Sequence, residues 1–276
     1  MSQAPNPNAT LAVAILSGKG GVGKTNLALN LSYALFRAGH RVLLMDFDVG
    51  LANVDVLLGL SPEKNLQDLF RPDVQAKDVM LAVEPGGFDF LPAASGVPEL
   101  LEMDDDMREV LFDKLNAVFG SYDYLMLDLG AGISQTVLSV AAMSQVRVLV
   151  VTPEPTSLTD SYAVIKVLHT QYGVSDFHVL VNQVESPADA QATFNRLSAA
   201  CNHFLGFTPV LIGGVHSDPA VPDAVRRQIP LLRHAPRCQA AQDIIGGAVK
   251  LHRVRQQRKD AIIAGPVLGK IPIIRK

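Results

Sequence analysis

The sequence predicts an α/β fold in which a doubly wound, mostly parallel β-sheet is flanked by helices. Apolar runs alternate along the chain with segments whose apolar residues recur at helical spacing, a pattern typical of βαβ units. The run at 11–16 is continuous, as in a strand that is buried on both faces. Of the 276 residues, 48% are hydrophobic but only 6% are aromatic and none is Trp, which favours an aliphatic parallel sheet over an aromatic-rich β-sandwich.

The alternating pattern places strands and helices in order along the chain. The candidate strands lie at 11–16, 41–46, 88–91, 122–128, 146–151, 177–182 and 209–215. The candidate helices lie near 24–38, 98–119, 134–144, 157–172, 188–204, 219–228 and 237–262. Since there is no internal repeat and no long linker, we expect one domain over residues 1–276. Residues 1–10 are expected to form a flexible N-terminal extension, and residues 259–276 a basic, apolar C-terminal tail.

A glycine-rich loop joins the first strand to the first helix. Residues 18–25 read Gly-Lys-Gly-Gly-Val-Gly-Lys-Thr and match the pattern G-x-x-x-x-G-K-[ST]. In this pattern backbone N–H groups surround phosphate oxygens, Lys24 neutralises their charge, and Thr25 offers a hydroxyl to Mg²⁺. The sequence therefore predicts a nucleotide-binding loop made of Gly20, Gly21, Val22, Gly23, Lys24, Thr25 and Asn26.

Three acidic residues follow apolar strands, at the sheet edge where open α/β sheets bind their ligands. Asp46 and Asp48 come after the second strand, and Asp128 comes after the run at 124–127. An acid at the end of an apolar strand is placed to hold Mg²⁺ or its water shell. Side chains at i and i+2 share a face of an extended segment, so Asp46 is expected to support the metal while Asp48 orients the attacking water. Asp128 is the second expected metal-side acid, with a helix N-cap as its alternative role.

The second lysine of the loop, Lys19, is not needed to surround phosphate within one subunit. It is either a solvated loop charge or a group that reaches across a two-fold interface to the nucleotide of a partner subunit. Residues 19–25 resemble, letter for letter, the deviant phosphate loop of the MinD/ParA class of ATPases. The resemblance extends in order from residue 11 to about residue 230. It implies ATP and Mg²⁺ as ligands, Lys19 acting in trans, and a homodimer that closes on ATP and opens after slow hydrolysis.

Within this class the chain looks most like the flagellar number and placement branch, FlhG, also called FleN. The segments that carry this likeness are 92–96, 128–134 and 152–166. The resemblance implies partners such as the FlhF GTPase, a flagellar transcription activator or switch-complex proteins. Residues 1–10 contain two prolines and lack the short Gln- and Leu-containing helix that stimulates FlhF in some members, which argues against that activity here.

The resemblance also implies residues on the base and ribose side of the nucleotide. Glu154 is expected near the nucleotide of the opposite subunit, or else is an ordinary strand-end acid. Asn182 ends the strand expected at 177–182, and its amide can donate to and accept from adenine at once; its alternative role is that of a turn-forming asparagine. Asp218 is a further candidate adenine contact. A proline usual in the family is absent before it, where the chain reads Val-His-Ser-Asp at 215–218, and His216 is expected to be a loop histidine rather than a catalytic one.

Charge and cysteine content separate the remaining alternatives. The formal charge is −3, but residues 250–276 carry eight Lys or Arg and one acid, so this stretch is basic and the rest of the chain acidic. The acidic body is a poor fit to a ParA-type ATPase that binds DNA non-specifically, and no specific nucleic acid is expected. The basic tail is either a packed segment or a contact with an anionic membrane surface.

Cys201 and Cys238 are far apart, which favours free structural thiols over the cluster of an iron–sulfur carrier.

No stretch is apolar for long enough to span a membrane, and the first residues lack a secretory signal pattern. The expected location is the cytoplasm, with peripheral attachment to the inner face of the cell membrane as an option for the tail. A MinD or ParA function in positioning the division site, a polar organelle or DNA stays open as the alternative to flagellar regulation.

Overall fold

The protein is described by a computed structural model that covers residues 6, 9–48, 53–71, 73–92, 114–116 and 118–268. Eight strands form one sheet in the order β3-β4-β2-β5-β1-β6-β7-β8, in which only the β3–β4 pair is antiparallel. The strands are β1 (Leu11–Ser17), β2 (Val42–Phe47), β3 (Leu81–Glu84), β4 (Phe88–Leu91), β5 (Tyr124–Ala131), β6 (Val146–Val151), β7 (Phe177–Val184) and β8 (Val210–His216). The predicted doubly wound, mostly parallel sheet is confirmed.

Helices cover both faces of the sheet. On one face lie α1 (Lys24–Arg37), α2 (Val54–Leu58), α6 (Ala220–Arg226), α7 (Leu231–His234), α8 (Gln239–Gln257) and α9 (Lys259–Ile263). On the other face lie α3 (Gln135–Met143), α4 (Pro155–Tyr172) and α5 (Pro187–Leu205). Each layer buries its own apolar cluster against the sheet, so the central strands β1, β2 and β6 are buried along their whole length. All eight described strands belong to this sheet, and a single domain over residues 1–276 stays a prediction.

Local sequence explains where the long helices begin and end. The Ser134 and Ser186 hydroxyls cap α3 and α5 by accepting the Val137 and Asp189 N–H groups, and prolines open α4 and α5 at their first turn. The glycines after α4 and α5 adopt the left-handed conformation that ends a helix.

Several element boundaries differ from those expected. The edge strand β3 was not predicted: residues 79–83 are apolar, but so short a run does not by itself distinguish a strand from other structure, and β3 is only four residues long and partly exposed. The strands β5 and β7 continue past Asp128 and Asn182, so both residues lie inside strands rather than at the ends of them. The helix expected at 237–262 is broken at Arg258, whose backbone leaves helical geometry. Most of the helix expected at 98–119 lies outside the described residues.

The described part of the N-terminal extension is anchored to the body. Asn6 and Thr10 are buried, and the Asn6 amide donates to the carbonyl oxygens of Thr10 and Ile262. The Thr10 hydroxyl donates to the Tyr122 carbonyl at 2.6 Å. These polar side chains can be buried because backbone partners satisfy them, and a flexible extension over residues 1–10 stays a prediction.

The described part of the C-terminal tail also packs against the body. Ile262, Val267 and Leu268 are buried, and the Gln145 amide donates to the Pro266 carbonyl at 3.2 Å. At the start of this segment Arg258 pairs with Asp176. Residues 269–276 of the tail lie outside the described part of the chain. Within the described residues no helix has the length and apolarity required to cross a membrane.

Candidate nucleotide-binding site

The candidate site lies at the carboxyl edge of the sheet, around the loop that leaves the central strand β1. The strand order places β5 and β2 on one side of β1, and β6 and β7 on the other. Because neighbouring parallel strands end at the same edge, residues that are far apart in sequence meet around this loop. Register places Asp46 of β2 directly beside Asp128 of β5.

The loop adopts a conformation that depends on its glycines. Gly21 and Gly23 have φ angles of 79° and 86°, in the left-handed region that non-glycine residues rarely adopt. Gly18 is needed for space instead, since a Cβ there would lie 2.2 Å from the carbonyl carbon of Asp160 in α4. The start of the loop is therefore packed against the backbone of α4, and Lys19 is the residue that directly follows this contact.

Lys24 and Asp128 form a buried ion pair at the base of the loop. The Lys24 Nζ atom lies 2.8 Å from Asp128 Oδ1, and both side chains are almost inaccessible to solvent. Burial raises the pKa of Asp128, and the Lys24 ammonium and the Thr25 hydroxyl partly oppose that rise. Lys24 and Thr25 are thus brought together with Asp128, which is 104 positions from Lys24 in the chain.

The donor set around Asp128 fits a magnesium ion. The Asp128 Oδ2 atom is buried and has no hydrogen-bond partner among the described residues. A buried carboxylate oxygen without a partner is costly, and Mg²⁺ or one of its waters would satisfy it. The Thr25 hydroxyl bonds to Asp128, and Asp46 lies beside Asp128 in the register of β2 and β5.

Asp46 has a further task that the sequence did not reveal. Its Oδ1 accepts the Asp48 N–H at 2.9 Å, and its Oδ2 accepts the N–H groups of Asn53 at 2.9 Å and Val54 at 3.1 Å. The carboxylate thereby fixes the backbone that enters α2. Burial and the neighbouring Asp128 raise the pKa of Asp46 to about 6, against the opposing effect of the three N–H donors.

Asp48 lies beside the end of β5. A Cβ at Gly130 would lie 3.4 Å from Asp48 Oδ1, so the carboxylate rests against the Gly130 backbone. The expected pair of acids from one extended segment is present, but the two have different surroundings. Asp46 is buried among N–H donors, whereas Asp48 is at the partly exposed rim of the site.

Lys19 contacts its own chain. Its ammonium lies 2.5 Å from Glu154 Oε2 and donates to the Thr156 hydroxyl at 3.0 Å. Both partners of this ion pair are exposed to solvent, with relative side-chain accessibilities of 38% and 58%. The hydrogen bond from Lys19 lowers the pKa of Glu154. Two residues expected to act toward a partner subunit are therefore paired with each other in the single chain.

The base-side candidates have structural partners as well. The Asn182 amide donates to the Val22 carbonyl at 2.8 Å. Asp218 accepts the Ala220 N–H at 2.9 Å and the Ala240 N–H at 3.3 Å, and the Ala220 bond lowers the pKa of Asp218. Asp218 therefore joins the starts of α6 and α8.

The expectation for His216 was wrong in one respect. His216 ends strand β8 rather than lying in a loop, and its Nδ1 is 2.7 Å from Asp243 Oδ2 in α8. The Asp243 carboxylate also accepts the His216 N–H. This partner acid is 27 residues away in sequence and could not be foreseen from the neighbourhood of His216.

Thr156 is a contact of the site that sequence reasoning assigned differently. Prolines at 153 and 155 and hydroxyls at 156 and 157 favour a capped helix start here; the N-cap residue is Glu154, and the Thr156 hydroxyl accepts a hydrogen bond from Lys19. The Ser157 hydroxyl instead accepts the Thr152 N–H.

Both cysteines are free thiols that lie apart from the loop. Cys201 is buried in α5, and the Cys238 sulfur accepts the Ala241 N–H at the start of α8. The described residues contain no group of three or more His, Cys, Asp or Glu placed to hold a metal.

Comparison with known proteins gives consistent relatives. The AAA domain family model matches residues 10–179. Antiactivator FleN of Pseudomonas aeruginosa is 38% identical over 241 residues, which cover 87% of this chain and 86% of FleN. Flagellum site-determining protein YlxH of Helicobacter pylori is 32% identical over 240 residues, or 87% of this chain and 81% of YlxH. The MinC:MinD cell division protein complex of Aquifex aeolicus matches with a TM-score of 0.71 and 27% identity, covering 88% of this chain and 96% of the matched chain.

Proposed function

This chain belongs to the MinD/ParA family of ATPases, in the branch that contains FleN, and we propose that it is a switch that dimerises on ATP to regulate flagellar number or placement. The observation that carries the proposal is the Lys24–Asp128 pair beneath a glycine loop with a second lysine, Lys19, at its rim. The family binds ATP together with Mg²⁺. Each step of the switch can be assigned to residues of this chain.

Phosphate binding is assigned to the loop and to Lys24. In the chain without nucleotide, the Lys24 ammonium is paired with Asp128. With Mg·ATP bound, Lys24 would instead contact phosphate oxygens, and the N–H groups of the loop would donate to the same phosphates. The exchange frees Asp128, which with Thr25 and Asp46 would hold the metal and its waters. The bound Mg²⁺ would neutralise charge on the β- and γ-phosphates. The orientation of the attacking water is assigned to Asp48, and its place beside Gly130 at the rim of the site supports this assignment.

Dimerisation is assigned to Lys19. In the single chain its charge is neutralised by Glu154, and the pair is exposed, so separating the two groups costs little. A partner subunit's triphosphate carries more negative charge than one carboxylate and would attract Lys19 away from Glu154. Glu154 would then be available to the nucleotide of the opposite subunit. For the dimer to form only when ATP is bound, ATP must stabilise the dimer relative to the separate chains by several kcal/mol.

Flagellar regulation rests on the relatives. FleN is named an antiactivator, and YlxH is named a flagellum site-determining protein. The proposed partners are therefore flagellar proteins, namely the FlhF GTPase, a flagellar transcription activator or switch-complex proteins. Positioning of the division site is the second candidate, because a solved MinD chain shares the fold over 88% of this chain. Co-purification of the ATP-bound dimer with flagellar or with division proteins separates the two.

The proposed switch is tested by the oligomeric state in excess Mg·ATP. Sedimentation velocity should show a dimer for the wild type, a persistent dimer for Asp48→Ala, and a monomer for Lys24→Ala. Lys19→Gln should bind ATP yet stay monomeric, whereas Lys166→Gln, which removes an exposed lysine on α4, should dimerise normally. A monomeric wild type, or a Lys19→Gln variant that dimerises and hydrolyses ATP like the wild type, would contradict the proposal.

Attachment to an anionic membrane through residues 250–276 is a separate proposal. The basic side chains of this stretch support it, but Ile262, Val267 and Leu268 are packed against the body and would have to leave it to contact lipid. Co-sedimentation with anionic vesicles in ATP should decrease for a chain ending at Arg258. Equal co-sedimentation of the two proteins would remove the tail from the mechanism.

A further inference from the structure

One amide side chain connects strand β7 to the phosphate loop. The Asn182 Nδ2 atom lies 2.8 Å from the carbonyl oxygen of Val22, although the two residues are 160 positions apart. A carbonyl oxygen can only accept, so the NH₂ end of the Asn182 amide must face the loop, and its orientation is fixed.

The Val22 carbonyl lies just before the first turn of α1. The helical ladder begins one residue later, where the Gly23 carbonyl accepts the Leu27 N–H at 3.0 Å. Val22 is buried, so without Asn182 its carbonyl would need another partner. Gly23 is confined by the same contact, because a Cβ on it would lie 2.4 Å from Asn182 Nδ2. The left-handed φ of 86° at Gly23 and the absence of a side chain are therefore both required.

We infer that Asn182 is a positioning residue that holds the Val22–Gly23 peptide in the orientation needed to bind phosphate. The peptide unit is planar and trans, so its N–H points opposite to its carbonyl. By holding the Val22 carbonyl, Asn182 turns the Gly23 N–H away from itself and leaves it for a phosphate oxygen. This inference rests on the proposed nucleotide site and assigns to Asn182 a task on the phosphate side of it.

The contact leaves the rest of the amide available. Asn182 uses one of its two N–H donors on Val22 and keeps the second donor and its carbonyl oxygen. A role toward the base can therefore coexist with the role toward the loop. The two are distinguished by a ligand that has phosphates and no base.

The test compares binding of Mg·ATP and of Mg·tripolyphosphate, measured by calorimetry. Asn182→Ala and the isosteric Asn182→Asp are the variants, and Asn202→Ala, which removes an exposed amide on α5, is the matched control. Loss of one neutral hydrogen bond in the loop should weaken tripolyphosphate binding about five- to tenfold in Asn182→Ala. Asn182→Asp should bind it more weakly still, because a carboxylate would face the Val22 carbonyl. Asn202→Ala should match the wild type for both ligands.

Circular dichroism at the binding temperature checks that each variant is folded. Because Asn182 is only partly buried, and Asn182→Asp keeps its shape, a folded variant is expected in both cases. Unchanged tripolyphosphate binding in both variants would overturn the inference, whether or not ATP binding falls. If instead the wild type binds neither ligand, or Lys24→Ala binds both as tightly as the wild type, the proposed nucleotide site itself fails.

Discussion

Replacing Lys24 with Met would leave Asp128 as a buried carboxylate without its cation. The two groups are 2.8 Å apart, and Asp128 is surrounded by buried strand residues that offer its other oxygen no partner in the described structure. Removing one member of a buried ion pair costs about 3–5 kcal/mol, because the remaining charge is uncompensated. For a chain of this size the midpoint of thermal unfolding should fall by roughly 10 °C at pH 8.

The cost should depend on pH with a definite sign. Burial already raises the pKa of Asp128 above that of an unfolded Asp, and loss of Lys24 raises it further. The folded variant then holds a proton that the unfolded chain releases, so its free energy of unfolding increases as pH falls. Relative to the wild type, the deficit should shrink by up to about 1.4 kcal/mol per pH unit as the pH falls from the pKa of Asp128 in the variant to its lower pKa in the wild type.

The assay is thermal unfolding followed by circular dichroism between about pH 5 and 8, without nucleotide. Lys24→Met/Asp128→Asn, which removes both charges, should recover most of the stability while ATP binding stays lost. Lys19→Met is the matched control, since its ion pair is exposed, and it should unfold within a degree or two of the wild type. A stability loss in Lys24→Met that is independent of pH, or that persists in the double variant, would refute the reasoning.

Three single contacts each yield a further prediction. The Asp46 carboxyl has a pKa of about 6 in the fold, above that of an unfolded Asp. The free energy of unfolding of the wild type, relative to that of Asp46→Asn, should therefore increase by about 1.4 kcal/mol when the pH is lowered from 8 to 5. Denaturant unfolding that gives the same difference at both pH values would contradict this. Gly18→Ala should reduce ATP affinity at least about tenfold, because its methyl group would overlap the α4 backbone at Asp160. If calorimetry gives the variant the ATP affinity of the wild type, the loop does not need close packing of Gly18 against α4. Arg258→Ala should increase proteolysis of the C-terminal segment by removing its pair with Asp176, with the exposed Arg253→Ala as control; equal cleavage rates would argue against that anchor.

Much of the fold could be predicted because the relevant signals are local. Mainly apolar segments marked seven of the eight described strands, and the glycine loop marked the junction of β1 and α1. The edge strand β3 was missed because its apolar run, residues 79–83, is too short to distinguish a strand from other structure. The break at Arg258 and the burial of Asn6 were missed because each depends on partners on other elements.

The sequence by itself determined the chemistry of the site: a loop of contiguous residues whose backbone binds phosphate, with Lys24 and Thr25 at fixed positions in it. Nearly all of that geometry is local, so a short pattern of contiguous residues is sufficient. Only the tertiary structure decided which side chains surround the loop. Lys19 meets Glu154, Lys24 meets Asp128, and Asn182 meets Val22 across separations of 104 to 160 residues. Those contacts depend on strand order, strand length and register, which are set by packing of the whole sheet and have no signature in any short segment.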